Sequence, residues 1–150
     1  MNIILALGHP AHYHLFKNVS KKLKEDGHNY YFVITPKDIL EKLLIENNEE
    51  YIVLAPREKN DNLMGKFFKI FNSTKQLIKV AKQLETDIFV GCLSQIVYAG
   101  VFINKPSIFV GEDDFSYTWL QGLTTYPLAT KILAPQATNV GPFYYKKISY

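Results

Sequence analysis

The chain opens with the stretch Asn2-Ile3-Ile4-Leu5-Ala6-Leu7-Gly8-His9-Pro10. The first six residues are almost all apolar, do not alternate with polar residues, and end at a Gly-His-Pro turn signal. Such a run predicts a short strand that is buried on both faces, which is typical of a parallel sheet. The residues at 14–26 follow with apolar side chains at helical spacing, and Gly27 supplies a stop signal. The opening of the chain therefore predicts a β-strand that leads into a helix.

The same alternation of short apolar runs and longer helical patterns continues as far as residue 135. The pattern predicts further strands at 30–35, 51–54, 87–90, 106–110 and 131–133, a loop at 55–62 and a long helix at 63–84. Such an order predicts an α/β protein with a Rossmann-like, mostly parallel sheet of about six strands and helices on both faces. We assign this domain to residues 1–135. Residues 136–150 show little periodicity and are predicted to be a C-terminal extension or the start of an interdomain linker.

The composition of the chain excludes several classes of protein. Hydrophobic residues make up 47% of the 150 residues, which is too many for a disordered protein. No apolar run approaches the roughly 20 residues of a membrane-spanning helix, and the formal net charge of +3 is too small to indicate a nucleic-acid-binding protein. The start of the chain lacks the pattern of a signal peptide, and a single cysteine, Cys92, suits a reducing compartment. We therefore expect a cytoplasmic protein.

The loop after the first strand is the first candidate site, because ligands of parallel sheets bind beyond the carboxyl ends of the strands. It contains Gly8, Pro10 and three of the four histidines, which are His9, His12 and His14. Main-chain N–H groups at the start of a helix favour an anion such as a phosphate. A histidine there can serve as a general base or a hydrogen-bond donor near neutral pH. Gly8 and Pro10 could simply form the turn, but three histidines within six residues favour a functional loop. We predict that His9 is catalytic and that the other four bind substrate.

We do not expect this loop to bind a metal ion or a cofactor. His12 and His14 are two residues apart and point to different faces of a helix, and the segment contains no Cys, Asp or Glu. The loop also lacks the three glycines of a dinucleotide-binding fingerprint and the Gly-Lys-Ser/Thr of a P-loop.

An acidic loop is the second candidate site. Glu112, Asp113 and Asp114 follow the apolar strand predicted at 106–110. Crowded carboxylates shift one another's pKa and can exchange protons, and they can also hold sugar hydroxyls. Asp113 or Asp114 could instead cap a helix that begins at Phe115, which would leave Glu112 free. We predict that Glu112 is catalytic and that Asp113 and Asp114 bind substrate.

Two further segments allow both a functional and a structural interpretation. Ser94 follows the strand at 87–90 and either binds substrate, which is our prediction, or caps the next helix. The helix at 63–84 mixes aromatic residues with lysines, a combination that suits peripheral contact with a membrane surface or a lipid-linked acceptor. Such a stripe is more often part of the core, with the lysines in solvent.

Several of these segments also resemble a known family. The resemblance is carried by Gly8–Lys17 with Gly27-His28, by Pro106–Val110 with the acids at 112–114, and by Leu123–Pro127 and Lys131–Pro135. On these residues the chain resembles an uncharacterised bacterial and archaeal family with the glycosyltransferase-B (GT-B) architecture. That family is similar to the UDP-N-acetylglucosamine 2-epimerases and to the N-acetylglucosaminyltransferase that makes lipid II.

The resemblance implies both an architecture and a function. GT-B proteins have two Rossmann-like domains with the active cleft between them, and this chain resembles the N-terminal, acceptor-side domain. The implied function is glycosyl transfer from a nucleotide-sugar to a glycan or lipid-linked acceptor, in surface-polysaccharide or glycoconjugate biosynthesis. A second Rossmann-like domain would be needed in cis or in trans, so we expect the chain alone to be inactive. By resemblance, His9 would face the donor phosphates or sugar, and Glu112 falls where the epimerases have a catalytic carboxylate.

Two alternatives to a glycosyltransferase remain open. One is a domain similar to a UDP-N-acetylglucosamine 2-epimerase, although Cys92 and Ser94 occupy the loop where those epimerases carry an aspartate. The other is a non-catalytic module that pairs with a subunit carrying the second domain.

Overall fold

The computed structural model describes residues 1–54 and 63–150, so the loop predicted at 55–62 lies outside the described residues. The strands are β1 (Asn2–Leu7), β2 (Asn29–Ile34), β3 (Tyr51–Val53), β4 (Ile88–Gly91), β5 (Ser107–Val110), β6 (Lys131–Ala134) and β7 (Lys147–Ser149). The helices are α1 (Pro10–Glu25), α2 (Asp38–Glu46), α3 (Leu63–Gln83), α4 (Ser94–Ile103) and α5 (Trp119–Thr125), with a 3-10 helix at Gly141–Lys146. The predicted Rossmann-like fold and all six predicted strands are confirmed.

The seven strands form one sheet in the order β3-β2-β1-β4-β5-β6-β7, and every pair is parallel. Helices α1 and α2 pack on one face, against Ile3, Leu5 and Leu7 of β1. Helices α3, α4 and α5 cover the other face, which receives Ile4 and Ala6. Because successive side chains of a strand point to opposite faces, a central strand between two helical layers must be apolar throughout. This requirement explains the unbroken apolar run at the start of the chain.

The seventh strand lies in the segment for which the sequence predicts no strand. Residues Lys147–Ser149 pair in parallel with β6, in a register that places Lys147 opposite Ile132. Two lysine side chains hold the segment in place, because Nζ of Lys146 donates to the carbonyl of Ala129 at 2.7 Å and Nζ of Lys147 donates to that of Thr138 at 2.7 Å. A three-residue strand with one apolar residue has no recognisable periodicity, so its position depends on these long-range contacts.

The order of the strands creates a crevice next to β1. The chain runs outward from β1 to β3 and then returns through α3 to β4, on the other side of β1. The loops after β1 and β4 therefore lead to helices on opposite faces, and such a switch point is where open α/β sheets bind ligands. Gly91 allows the two strands to approach each other closely, because its φ is +150° and an added Cβ would lie 2.2 Å from the carbonyl oxygen of Ala6.

Candidate functional site

A pocket of about 170 Å³ lies at the carboxyl edge of the sheet, beside this switch point. We call it the switch-point pocket. The residues that line it are His12, Cys92, Phe109–Asp113, Thr118, Gln121 and Tyr126. The loops after β1, β4 and β5 each contribute, as does the first turn of α5. The structure thus brings together the histidine-rich loop and the acidic loop that the sequence identifies separately.

The ring of His12, in the first turn of α1, is oriented by the main chain. The N–H of Gly8 donates a hydrogen bond of 3.0 Å to Nδ1 of His12. A ring nitrogen that accepts a hydrogen bond carries no proton, so the neutral imidazole has its proton on Nε2. Burial lowers the pKa of His12 below its ordinary value of 6.5, and this effect outweighs the opposing charge of Glu112. His12 is therefore mostly neutral at pH 7.

Glu112 is the exposed member of the pair that it forms with His12. Its Oε2 lies 3.8 Å from Nε2 of His12, and 43% of its side chain is exposed, against 15% for His12. This distance exceeds that of a hydrogen bond, so the carboxylate retains its capacity to accept a proton from a ligand. Both ring nitrogens of His12 are directed at protein groups. Glu112 is thus the better placed of the two to contact a substrate.

Cys92 completes a cluster with these two residues. The potential ligand atoms of His12, Cys92 and Glu112 all lie within 4.8 Å of one another, which raises the question of metal binding. Two features oppose it. Burial, reinforced by the charge of Glu112, raises the pKa of the Cys92 thiol to about 12, whereas a metal binds the thiolate. The hydrogen bond from Gly8 also leaves the proton of His12 on Nε2, the nitrogen that would have to bind the metal.

His9, Pro10 and His14 of the first loop do not line the switch-point pocket. His9 is the N-cap of α1, its Nδ1 accepts a hydrogen bond from the N–H of Ala11 at 3.2 Å, and Pro10 is the first residue of the helix. His14 is exposed and packs beside the ring of Tyr13. The catalytic role of His9 and the substrate-binding roles of Pro10 and His14 stay predictions.

Gly8 has two structural roles beside its predicted role in binding. Its N–H orients His12, and an added Cβ would lie 2.7 Å from Cδ2 of Leu93. A larger residue would therefore require the side chain of Leu93, in the loop after β4, to move.

The acidic loop divides into residues with different environments. Asp113 is exposed and lines the switch-point pocket with Glu112. Asp114 instead accepts a hydrogen bond of 2.7 Å from the N–H of Asn139, whose carbonyl accepts one of 2.7 Å from the N–H of Phe115. The interpretation of Asp113 or Asp114 as a helix cap is wrong, because α5 begins at Trp119. The carboxylate of Asp114 holds the acidic loop to the C-terminal segment.

Ser94 connects two helices. Its Oγ accepts hydrogen bonds from Nε2 of Gln121 at 3.1 Å and from Oγ1 of Thr125 at 3.0 Å. The cap interpretation is wrong here as well, since Leu93 is the N-cap of α4 and Ser94 the first residue inside it. The pocket lining does not include Ser94, and its binding role stays a prediction.

Three pocket residues on and beside α5 were not identified from the sequence, namely Thr118, Gln121 and Tyr126. The segment 117–126 lacks a clear periodicity because α5 is only seven residues long. The spacing of Thr118 and Gln121, three residues apart, was the available signal that they share a helix face. Burial raises the pKa of Tyr126, so its hydroxyl remains protonated and can donate a hydrogen bond.

The chain is similar to known proteins in its fold rather than in its sequence. No protein-family model and no curated protein sequence matches the chain. Solved structures do match it. MurG from Acinetobacter baumannii has a TM-score of 0.74 and 16% identity, over 99% of this chain and 45% of MurG. The chain has the fold of one half of a GT-B protein.

Two other structures are similar to this GT-B half. UDP-GlcNAc 2-epimerase from Neisseria meningitidis, bound to UDP-GlcNAc, has a TM-score of 0.77 and 15% identity over 99% of this chain and 45% of the epimerase. A glycosyltransferase from Rickettsia africae has a TM-score of 0.69 and 16% identity over 99% and 42%. The chain therefore spans less than half the length of these proteins. The predicted GT-B architecture is confirmed at the level of the fold.

Proposed function

We propose that this GT-B half is the acceptor-side domain of a glycosyltransferase that uses a nucleotide-sugar, and that Glu112 contacts the reacting hydroxyl. The observation that carries the proposal is the meeting of His12 and Glu112 at the carboxyl edge of the sheet, beside the β1/β4 switch point. The fold likeness to MurG and to an epimerase bound to UDP-GlcNAc supports the choice of substrate class.

In the proposed reaction, Glu112 acts as a general base. An acceptor hydroxyl bound in the switch-point pocket gives its proton to the carboxylate as its oxygen bonds to C1 of the donor sugar. The bond between C1 and the phosphate oxygen breaks, and the nucleotide leaves as the diphosphate. Nε2 of His12 faces the carboxylate at 3.8 Å, beyond hydrogen-bond distance, which leaves Glu112 free to accept the proton of the acceptor. A positioned general base contributes about 10²- to 10⁴-fold to such a reaction.

The proposed reaction needs a larger binding site than the switch-point pocket alone provides. The switch-point pocket has about 170 Å³, whereas ligand pockets generally have about 300–1,000 Å³. A second Rossmann-like domain, in cis or in trans, would enlarge it and supply contacts to the nucleotide. We infer that the chain alone is inactive. We further propose that the acceptor is a glycan or a lipid-linked molecule of surface-polysaccharide or glycoconjugate biosynthesis, and that the protein acts in the cytoplasm.

The test uses the protein together with its second domain, in cis or in trans, UDP-GlcNAc as donor probe, and three variants. Glu112→Gln keeps the shape of the side chain and removes the base, so we expect transfer or hydrolysis of the sugar to fall by about 10²-fold or more, with little change in UDP affinity. Glu46→Gln, the same change at an exposed residue at the end of α2, is the matched control and should keep full activity. His9→Asn tests the predicted catalytic role of His9. Unchanged activity in Glu112→Gln would overturn the proposal.

A 2-epimerase is the second candidate, since the epimerase structure matches with a TM-score of 0.77. An epimerase differs from a glycosyltransferase in its product, because it would form the C2 epimer of UDP-GlcNAc and would need no acceptor. The protonated Cys92 after β4 offers no carboxylate for this chemistry, which favours the glycosyltransferase. Absence of both products when the second domain is present would overturn both proposals and favour the non-catalytic module.

A further inference from the structure

Gln121 lines the switch-point pocket from α5, and Ser94 holds its side chain in place. Nε2 of Gln121 donates a hydrogen bond of 3.1 Å to Oγ of Ser94, the first residue of α4. Among the described residues, Oε1 of the same amide receives no hydrogen bond, and the side chain is exposed, so a ligand can reach it. With its nitrogen bound to Ser94, the amide has its carbonyl oxygen free to accept a hydrogen bond from that ligand.

Ser94 is itself fixed by the buried side of α5. Its Oγ also accepts a hydrogen bond of 3.0 Å from Oγ1 of Thr125, which is fully buried. The hydroxyl of Tyr98 lies 3.3 Å from the same Oγ1. Gln121 and Thr125 are four residues apart, so they share one face of α5 and both reach Ser94. The two bonds occupy both lone pairs of Ser94 Oγ, which therefore pairs with the nitrogen of the Gln121 amide rather than with its oxygen.

The polar groups of the pocket indicate the kind of ligand that Gln121 meets. Glu112 and Asp113 contribute two carboxylates, and among the described residues the lining includes no lysine or arginine. These carboxylates repel a phosphate or another anion, whereas a neutral hydroxyl can donate a hydrogen bond to either of them. The amide oxygen of Gln121 adds a third acceptor. The pocket therefore suits a neutral group that carries several hydroxyls, such as a sugar ring.

We propose that Gln121 is a specificity-determining residue, which accepts a hydrogen bond from a second hydroxyl of the acceptor sugar while Glu112 contacts the first. Ser94 is a positioning residue that acts through Gln121, because it orients the amide without lining the pocket. The inference rests on the function proposed above for the identity of this sugar as the acceptor. A sugar without the second hydroxyl leaves Oε1 of Gln121 unpaired and binds more weakly.

Glycoside binding tests the inference without any reaction. The protein, together with its second domain in cis or in trans, is labelled with ¹⁵N and titrated with the methyl glycosides of N-acetylglucosamine, glucose, galactose and mannose. The side-chain amide signal of Gln121 is identified by its absence in Gln121→Met. We expect at least one of the four glycosides to shift this signal in the wild type.

The variants at position 121 measure the contribution of the amide. Gln121→Met keeps the length of the side chain and should weaken binding of that glycoside about three- to tenfold, since one neutral hydrogen bond is lost. Gln121→Glu keeps an acceptor and should bind more tightly than Gln121→Met. The matched control is Gln83→Met, the same change at an exposed glutamine at the end of α3, which should bind as the wild type does.

A double variant tests the positioning role of Ser94. Ser94→Ala should also weaken binding, because the amide of Gln121 is then free to rotate. Because Ser94 acts through Gln121, Ser94→Ala/Gln121→Met should bind no more weakly than Gln121→Met alone. A merely structural effect of Ser94 on α4 and α5 would add to the effect of Gln121, so additive losses would overturn the positioning role.

Three results would overturn the role of Gln121: no shift of its amide signal with any of the four glycosides, equal affinity in the wild type and Gln121→Met, or equal affinity in Gln121→Glu and Gln121→Met. These outcomes are distinct from a failure of the proposed reaction. Unchanged sugar transfer in Glu112→Gln would overturn the reaction and leave the glycoside site intact. Loss of transfer in Glu112→Gln with wild-type glycoside binding in Gln121→Met would overturn only the inference.

Discussion

The main-chain N–H of Gly8 donates a hydrogen bond of 3.0 Å to Nδ1 of His12, and this contact determines which nitrogen of His12 faces the switch-point pocket. With Nδ1 occupied, the proton of the neutral ring lies on Nε2, the nitrogen that is 3.8 Å from Glu112. A single turn between β1 and α1 thus orients the pair on which the proposed function depends.

We expect His12→Ala to lower the free energy of unfolding by about 1–3 kcal/mol, because it leaves the half-buried N–H of Gly8 without an acceptor. His12→Asn should cost clearly less, since its amide oxygen lies near the former position of Nδ1 and can accept the same hydrogen bond. Urea unfolding above pH 6.5, where His12 is neutral, measures both. Equal losses in the two variants would contradict the assigned role of Gly8.

The lowered pKa of His12 predicts a loss of stability on acidification. Its folded pKa lies below the ordinary 6.5 of the unfolded chain, so the unfolded state takes up the proton first as the pH falls. The contribution of His12 is therefore complete above pH 6.5 and decreases as the pH falls from 6.5 through the folded pKa. We expect the stability advantage of the wild type over His12→Asn to shrink across that window in urea unfolding. A difference that does not vary with pH would argue against a buried, neutral His12.

Gly91→Ala should destabilise the protein severely, by more than about 3 kcal/mol. Its Cβ would lie 2.2 Å from the carbonyl oxygen of Ala6, which is main chain and cannot move without separating β1 from β4. Gly27→Ala is the matched control, because Gly27 has a φ of +77° and open space around it. It should cost only the backbone strain of about 1–2 kcal/mol. Thermal unfolding compares the two, and similar losses would contradict the close approach of the strands.

Asp114→Ala should loosen the attachment of the acidic loop to the C-terminal segment, and it should leave the volume of the switch-point pocket unchanged. The Asp114 carboxylate accepts from the N–H of Asn139 at 2.7 Å, so its removal frees that amide. We expect faster hydrogen exchange at Asn139 and a loss of about 1 kcal/mol in the free energy of unfolding. Asp113→Ala, an exposed neighbour, serves as the control and should leave both quantities unchanged. Slow exchange at Asn139 in Asp114→Ala would mean that the carboxylate does not hold the loop.

Local patterns in the sequence were sufficient for most of the fold. The apolar run of β1, the amphipathic helices and the glycine and proline signals between them predicted six strands and their order along the chain. Patterns were insufficient for β7 and α5, because three and seven residues are too few to show a period. The same reason explains why Thr118 and Gln121 were missed as pocket residues.

The candidate site was predicted in part. The sequence identified the two loops that meet, and it placed Glu112 correctly at the end of β5. It could not tell that His12, rather than His9 or His14, would face Glu112. It also could not tell that Ser94 would bond to α5, or that Asp114 would bond to Asn139. The contacts of Ser94 and Asp114 each join residues that lie 25 or more positions apart in the sequence. Which histidine faces Glu112 depends on the residue at which α1 begins, and the sequence does not fix that residue to within one helical turn.

The sequence by itself determined the class of fold, the edge of the sheet at which polar loops gather, and the concentration of lysines and aromatic residues in α3. These properties depend on the spacing of residues that are close together in the chain. In a helix or a strand, that spacing determines which face and which end of the element a side chain occupies. Only the tertiary structure decided which side chains meet in the switch-point pocket. The pairing of His12 with Glu112 spans 100 positions and requires β1, β4 and β5 to lie side by side, and that arrangement is a property of the whole sheet.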